Sequence, residues 1–357
     1  MKAILLLNDG AAFEGESFGS AGETIGELVL NTAVVGYQEM LTNPANVGKI
    51  IVFTYPLIGN YGVAPKFNES NRVWVSGLVF KEKSRVYSNW QAKGGLEEFT
   101  KEHGLTGISG IDTRTLAVHI RDKGPFWGIV STQQASRQEL LNKIEAFRKK
   151  TAVSLLPKIS VAKCANLKAA AKKYAKLAVL DLGMTNSVIK QLQTMGFSLV
   201  LLPYNTSAQD ILRLKADGLI ISDGPEEDPG LDEVISQVKP LIGKLPILGI
   251  AAGYQVLARA LGCRIVKMKL GHRGVNYPVY SPPHYKGEIT VQNHSWVVDA
   301  DSLMKLKKIK VTAHNLNDRT IEEIESKSLK LIGTQYSPAS PGFNEVNNIF
   351  KRFAKVL

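Results

Sequence analysis

The chain has 357 residues, 44% of them hydrophobic and 21% charged, which is the composition of an ordinary globular protein and more chain than one core usually serves, so two domains are expected. No apolar run approaches the roughly 20 residues of a membrane span, and Met1 leads into "KAILLLNDG" without the features of a signal peptide, so a cytoplasmic protein is expected. Two cysteines, Cys164 and Cys263, do not suffice for a disulfide framework or a four-ligand zinc site and both read as reduced, while a formal net charge of +12 leaves nucleic acid or an acidic protein open as partner classes.

From Met1 to about Val130 the pattern is strand-rich. "KAILLLNDGAAFEG" reads as a hairpin broken at Asp9-Gly10, and "ELVLNTAVVGYQEMLTNP", "KIIVFTYPLIGNYG" and "RVWVSGLVF" follow, punctuated by Gly, Pro and Asn. "DTRTLAVHIRDKG" then reads as a helix with Asp112 or Thr113 at its N-cap and Gly124 past its end. A mixed α/β N-terminal domain over residues 1–152 is therefore expected. Between Lys143 and Lys176 eight further bases, from Arg148 to Lys173, face one acid, Glu145, with almost no aromatic residue able to stack on a base. We read 153–176 as a solvated, lysine-rich connector, without a nucleic-acid partner.

From Leu177 the rhythm becomes strand, helix, strand, helix: "LAVLDLG", "SVIKQLQTMG", "SLVLLP", "AQDILRLKAD", "GLIIS", "LDEVISQVKPLIG", "LPILGI", "YQVLARALG". Short apolar strands alternating with amphipathic helices imply a doubly wound, mostly parallel sheet over residues 177–357. Such sheets bind ligands at the carboxyl ends of their strands. Two loops fall there, "SDGPEEDPG" after "GLII" and "AAG" after "LPILGI". The second, in "GIAAGYQ", is a sharp strand-to-helix turn between two glycines, the arrangement that presents a nucleophile, yet its tip is Ala251.

An amide hydrolase of this build needs a thiolate to attack the carboxamide, a histidine to move protons and a carboxylate to orient that histidine. Backbone N–H groups complete the site by holding the oxyanion. In chain order, "NTAVVGYQEMLTNP", "TYPLIGNYG", "IDTRTLAVHIRDKG", "SDGPEEDP", "GIAAGYQ", "VKMKLGHRGVNYPV", "VQNHSW" and "YSPASPG" strongly resemble the small subunit of carbamoyl-phosphate synthase. That resemblance covers nearly the whole chain and implies a class I glutamine amidotransferase fold in the C-terminal half. It further implies a function: members hydrolyse glutamine and pass ammonia through a tunnel to a large synthetase subunit. The large subunit makes carbamoyl phosphate from ATP and bicarbonate for arginine and pyrimidine synthesis. The resemblance implies no cofactor and no metal in this chain, and a heterodimer with the large subunit.

The family pattern is broken where its chemistry should be. The elbow of the family reads G-x-C-x-G-x-Q, which puts Ala251 at the nucleophile. Near the C-terminus the family has H-P-E-A-S-P-G where this chain has "SPASPG", placing Ser337 at the histidine and leaving the glutamate without a counterpart beside Pro338. The oxyanion loop, G-P-G-D-P in the family, here runs Gly224, Pro225, Glu226, Glu227, Asp228, Pro229. A family serine that contacts glutamine becomes Ala45. The resemblance thus implies a vestigial glutamine pocket of Ala45, Gly224, Glu226, Ala252, Gln255, Asn293, Ser295 and Trp296, with no intact catalytic residue.

Replacement chemistry finds little support in the sequence. Cys263 opens the apolar run "CRIVKM" and reads as a buried structural thiol, and Cys164 lies in the connector. None of the six histidines stands in "GTQYSPASPG", and Tyr336 is a poor base for Ser337. The acids Glu226, Glu227 and Asp228 could suggest a divalent-metal site, but Asp232 and Glu233 fit better as first-turn acids of a helix. The leading expectation is a glutaminase-dead pseudoenzyme subunit that binds a large synthetase subunit and has a structural, regulatory or ammonia-channelling role. Two alternatives stand beside it: an amidohydrolase working by an altered mechanism, and a basic binding module unrelated to synthetase.

Overall fold

The computed structural model describes residues 1–150, 153–170, 174–282, 286–340, 342 and 345–357. It contains two compact units: Met1–Val153 with Lys269–Arg273, and Ser154–Met268 with Gly274–Leu357. The short piece Lys269–Arg273, which sequence rhythm assigns to the second half, joins the first unit because the backbone N–H of Thr32 donates to the Arg273 carbonyl at 3.2 Å.

In the first unit, strands Lys2–Leu7 and Ala12–Gly19 form the expected hairpin, with Leu6 opposite Ala12. Its turn is possible because Gly10 takes φ +88°, open to glycine without a steric penalty. These two strands close a seven-membered barrel with Thr106–Ser109, Gly77–Val79, Lys49–Phe53, Glu23–Asn31 and Trp127–Ser131. Closure leaves no open sheet edge to attract another chain. Leu5, Leu7, Ile50, Val52, Val79 and Ile108 are fully buried together in one of its cores. Two stretches differ from the sequence reading. Tyr37–Thr42, expected within a strand-rich run, is a helix, since Tyr37 and Leu41 fall one turn apart and both bury. Arg137–Lys150, to which the sequence reading gives no element, is also helical: Leu140 and Ile144 pack on Leu6 and Ile129 while the bases face solvent. The helix Thr113–Lys123 forms as expected, its N-cap Asp112 accepting the Thr115 N–H at 3.0 Å.

The second unit is the expected doubly wound sheet. Ala175–Leu180, Phe197–Leu202, Gly218–Ile221, Ile247–Ile250 and Leu331–Thr334 run parallel, and Ile321–Ser326 and Lys310–Asn315 extend the sheet antiparallel. Helices Asn186–Thr194, Ala208–Arg213, Leu231–Val238 and Ala252–Ala260 follow the strands. Separate buried clusters lie around Leu180, Ile221 and Val234 and around Val179, Leu248 and Phe350. Alternate residues of one strand thus bury on opposite faces. Part of the lysine-rich stretch 153–176 is built into this unit. Ala165–Leu167 pairs antiparallel with Phe197–Leu202, and Leu156 is fully buried.

Gly218–Ile221, Ile247–Ile250 and Leu331–Thr334 are neighbours in the sheet, with Ile221 opposite Gly249 and Ile250 opposite Thr334. Their carboxyl ends therefore deliver three loops to one place: Ser222–Gly230, the turn at Ala251, and the segment from Gln335.

Candidate functional site

Ala251 caps the helix Ala252–Ala260 with φ +47° and ψ −108°. This region is open to glycine and strained for any L-residue, at a typical cost of about 1–3 kcal/mol. The sheet imposes it. The Ala251 N–H donates to the Thr334 carbonyl at 2.7 Å, and the Ala251 carbonyl accepts the Gln255 N–H at 3.1 Å. Both flanking glycines are needed by contact. A Cβ on Gly253 would lie 2.1 Å from the Ile221 carbonyl oxygen, and one on Gly249 would lie 2.8 Å from the Gly253 oxygen. The strained turn that exposes a nucleophile is therefore complete, and its tip carries a methyl group.

The N–H groups beside the tip are already engaged. Asp223 Oδ1 accepts the Gly224 N–H at 2.7 Å and the Ala252 N–H at 3.3 Å. These are the donors a strand-to-helix elbow offers to an oxyanion, from the residue after the tip and from an adjacent glycine loop. Gly224 cannot be larger, because its Cβ would meet the Leu182 carbonyl at 2.2 Å. The sequence gives one signal for Asp223, an acid placed directly before Gly224.

The remaining pocket is organised by Glu226. Its Oε2 accepts the Ser295 N–H at 2.7 Å, and its Oε1 accepts Gln255 Nε2 at 2.6 Å and the Trp296 N–H at 3.3 Å. Gln255 Nε2 also donates to the Trp296 carbonyl at 3.0 Å. Glu227 accepts Trp296 Nε1 at 2.8 Å and pairs with Lys267 at 2.7 Å, and Lys267 lies over the Trp296 ring. Asp228 turns the other way and accepts the N–H groups of Leu155, Leu156 and Gly230 at 2.6, 3.2 and 2.8 Å. The acids of this loop are thus engaged one by one with donors and do not form a shared carboxylate cluster. Lys267 is a further member of the site that the sequence does not single out, and Glu227, legible there only as a loop acid, pairs with it.

Asn293 stands two residues before Ser295 on the strand Lys286–Val298, and both polar atoms of its amide are buried without a partner among the described residues. The Ser337 N–H donates to the Val291 carbonyl at 2.9 Å on that strand. Beside it, the buried Tyr336 hydroxyl donates to Glu323 Oε1 at 2.5 Å, and burial pushes the phenol well above its ordinary value. Tyr336 therefore has no tendency to ionise and help Ser337. Gln191 fixes the next residues, its Nε2 donating to the Pro338 carbonyl and its Oε1 accepting the Asn347 N–H, both at 2.8 Å. Ala45 belongs to the first unit, buried in the turn Pro44–Asn46, where Asn43 Oδ1 accepts its N–H at 2.9 Å. Cys263 is buried, with its thiol pushed up to about 11, and Cys164 is exposed. A thiol raised that far holds almost no thiolate near neutrality.

The comparisons with known proteins agree with this architecture. Residues 5–130 match the family model described as the carbamoyl-phosphate synthase small chain, CPSase domain, and residues 178–356 match glutamine amidotransferase class-I. The chain is 39% identical over 359 residues to the carbamoyl phosphate synthase small chain of Listeria monocytogenes, covering 100% of this chain and 97% of that one. It is 37% identical over 371 residues to the small chain of Syntrophotalea carbinolica, covering 100% and 98%. Against the pyrimidine-specific small chain of Bacillus subtilis it is 37% identical over 360 residues, covering 100% and 96%.

Proposed function

Because this chain belongs to the carbamoyl-phosphate synthase small-chain family, we propose that it is a small subunit that has lost glutamine hydrolysis and acts as a non-catalytic partner of a large synthetase subunit. In this reading it supports carbamoyl phosphate formation for arginine or pyrimidine synthesis by stabilising or regulating the large subunit or by conducting externally supplied ammonia to it. ATP and bicarbonate are substrates of that partner. The complex is a cytoplasmic heterodimer; both cysteines are free thiols, as a reducing compartment favours. No helix among the described residues is long and apolar enough to cross a membrane.

One observation carries the proposal: an intact elbow, strained at φ +47°, holds Ala251 while the carboxylate of Asp223 covers the adjoining N–H donors. Glutamine hydrolysis through a thioester needs a thiolate at that tip and an empty, electropositive hollow for the oxyanion. A methyl group supplies no electron pair, and a carboxylate on the donors repels the charge that would develop there.

The test has two arms. The purified chain should release no ammonia from L-glutamine above a no-protein control. Mixed with the large subunit of the same organism at micromolar concentration and moderate salt, it should elute as a stable complex that makes carbamoyl phosphate from ammonium but not from glutamine. Ammonia release by the purified chain, or failure of the two chains to associate, refutes the proposal.

A further inference from the structure

The pocket beside the elbow is built for a carboxylate and already contains one. Three donors from separate elements, Gln255 Nε2 on the elbow helix and the N–H groups of Ser295 and Trp296 on a strand, converge on the two oxygens of Glu226 at 2.6, 2.7 and 3.3 Å. Convergent amide donors of this kind are how a protein fixes a ligand's carboxylate. Glu226 reaches them from the loop Ser222–Gly230, and Glu227 secures the same loop through Trp296 Nε1 and Lys267. Beyond Glu226 the pocket continues as a cleft of about 750 Å³, lined in part by Arg259, Cys263, Arg264 and Trp296. Space for a small molecule exists directly beyond the side chain that seals the donors.

We infer that Glu226 is a tethered occupant, filling with its own side chain the place of a free amino acid's α-carboxylate and so keeping the pocket closed to that class of ligand. A group held in place by its own backbone competes intramolecularly, at an effective concentration set by its tether. Shortening that one side chain removes the acceptor shared by the Ser295 and Trp296 N–H groups and one partner of Gln255 Nε2, which keeps the Trp296 carbonyl, and a donor left without an acceptor costs free energy until another acceptor replaces it. The choice of glutamine and glutamate as ligands rests on the reading of this pocket as a former glutamine site; the closure itself rests on the three contacts alone.

The full chain carrying Glu226→Gly, and the chain carrying Glu226→Gln, are titrated by calorimetry with L-glutamine, L-glutamate and 4-aminobutanamide, which is glutamine without its α-carboxylate. Glu226→Gly should bind the two amino acids more than about tenfold tighter than the parent, a gain of one decade in Kd, with no gain for 4-aminobutanamide. Glu226→Gln fills the same space and should stay as closed as the parent. Should the glycine variant lack the parent's cooperative melting transition, Glu226→Ala is titrated in its place. Equal binding by parent and shortened variants overturns the inference. Equal gains in the Gln and Gly variants also overturn it, because charge and not occupancy would then exclude the ligand. Ammonia release from glutamine by the parent would instead refute the proposed function, since that outcome concerns turnover and these titrations concern binding.

Discussion

Asp223 Oδ1 lies 3.3 Å from the backbone nitrogen of Ala252, the first residue after the elbow's tip, and takes the Gly224 N–H at 2.7 Å. A carboxylate across these two donors satisfies buried groups that the fold would otherwise leave bare. Asp223→Ala should therefore lower unfolding stability by about 2–3 kcal/mol, the typical cost of buried donors without an acceptor. Asp223→Asn keeps an accepting oxygen and should lose less than about half of that. Urea midpoints at constant m-value decide the matter, and equal losses in the two variants would show that charge, not acceptance, is what Asp223 supplies.

The strain at Ala251 gives a second measurable consequence. Alanine to glycine in an ordered segment ordinarily destabilises by roughly 0.5–1 kcal/mol. At φ +47° and ψ −108° the conformational preference reverses, so Ala251→Gly should be neutral or stabilising. Gly253→Ala should behave oppositely and cost about 3 kcal/mol or more, since its Cβ would lie 2.1 Å from a backbone oxygen of Ile221 that cannot yield. A loss of about 1 kcal/mol in Ala251→Gly would mean that the turn is not strained in solution.

Much of this arrangement is legible in the sequence because the signals are local. The alternation of short apolar strands with amphipathic helices from Leu177 onward places the elbow and the Ser222–Gly230 loop at the same edge of a parallel sheet. The glycines at 249 and 253 announce the tight passage between strand and helix. The barrel is less legible, because its closure depends on Glu23–Asn31 pairing with Trp127–Ser131, over a hundred residues away in the chain. Tyr37–Thr42 was masked by the apolar, strand-like run before it, and the helix Arg137–Lys150 by its own lysines. The roles of Asp223 and Glu226 could not be read at all. Their decisive hydrogen bonds reach 29 and 69 positions along the chain, and the sequence presents Glu226 as an acid of the loop without showing which donors it takes.

In the first unit, Glu39 offers a pH test. Its Oε2 is buried without a partner among the described residues, and burial, with Glu69 adding like charge, pushes the carboxyl up to about 7 from an ordinary 4.5. Between those values the unfolded chain is ionised while the folded one still holds the proton. Unfolding then releases protons, so this group's contribution to stability is intact below 4.5 and is lost as pH rises through about 7. Glu39→Gln removes the ionisation. It should be more stable than the parent by about 2 kcal/mol at about pH 8, an advantage that fades toward about pH 4. An advantage independent of pH would show that Glu39 does not titrate in this range.

Restoring the thiol alone, Ala251→Cys, should not restore glutaminase activity. A cysteine at the tip keeps a pKa near its ordinary ~8.5 without an imidazolium beside it, so only a few per cent is thiolate at pH ~7. In the proposed reading Ser337 takes the place of the base; its backbone N–H is hydrogen-bonded to Val291, and the neighbouring Tyr336 is committed to Glu323 with its phenol pushed up. Neither of these two side chains can take the proton from the thiol or return one to departing ammonia. On the same reading, the donors that would steady a tetrahedral oxyanion are covered by Asp223, and those that would hold the substrate are filled by Glu226. Members of a catalytic triad act as a unit, and losing the nucleophile alone costs on the order of 10⁶ in kcat in a serine protease, so returning one member recovers almost none of the rate. The introduced thiol should react slowly with iodoacetamide, being buried like the alanine it replaces, which is 5% exposed. Coupled-enzyme detection of ammonia from L-glutamine should find the variant indistinguishable from the parent. Turnover clearly above the parent would mean that a base lies within reach of position 251, and the reading of this chain as a glutaminase-dead subunit would fall with it.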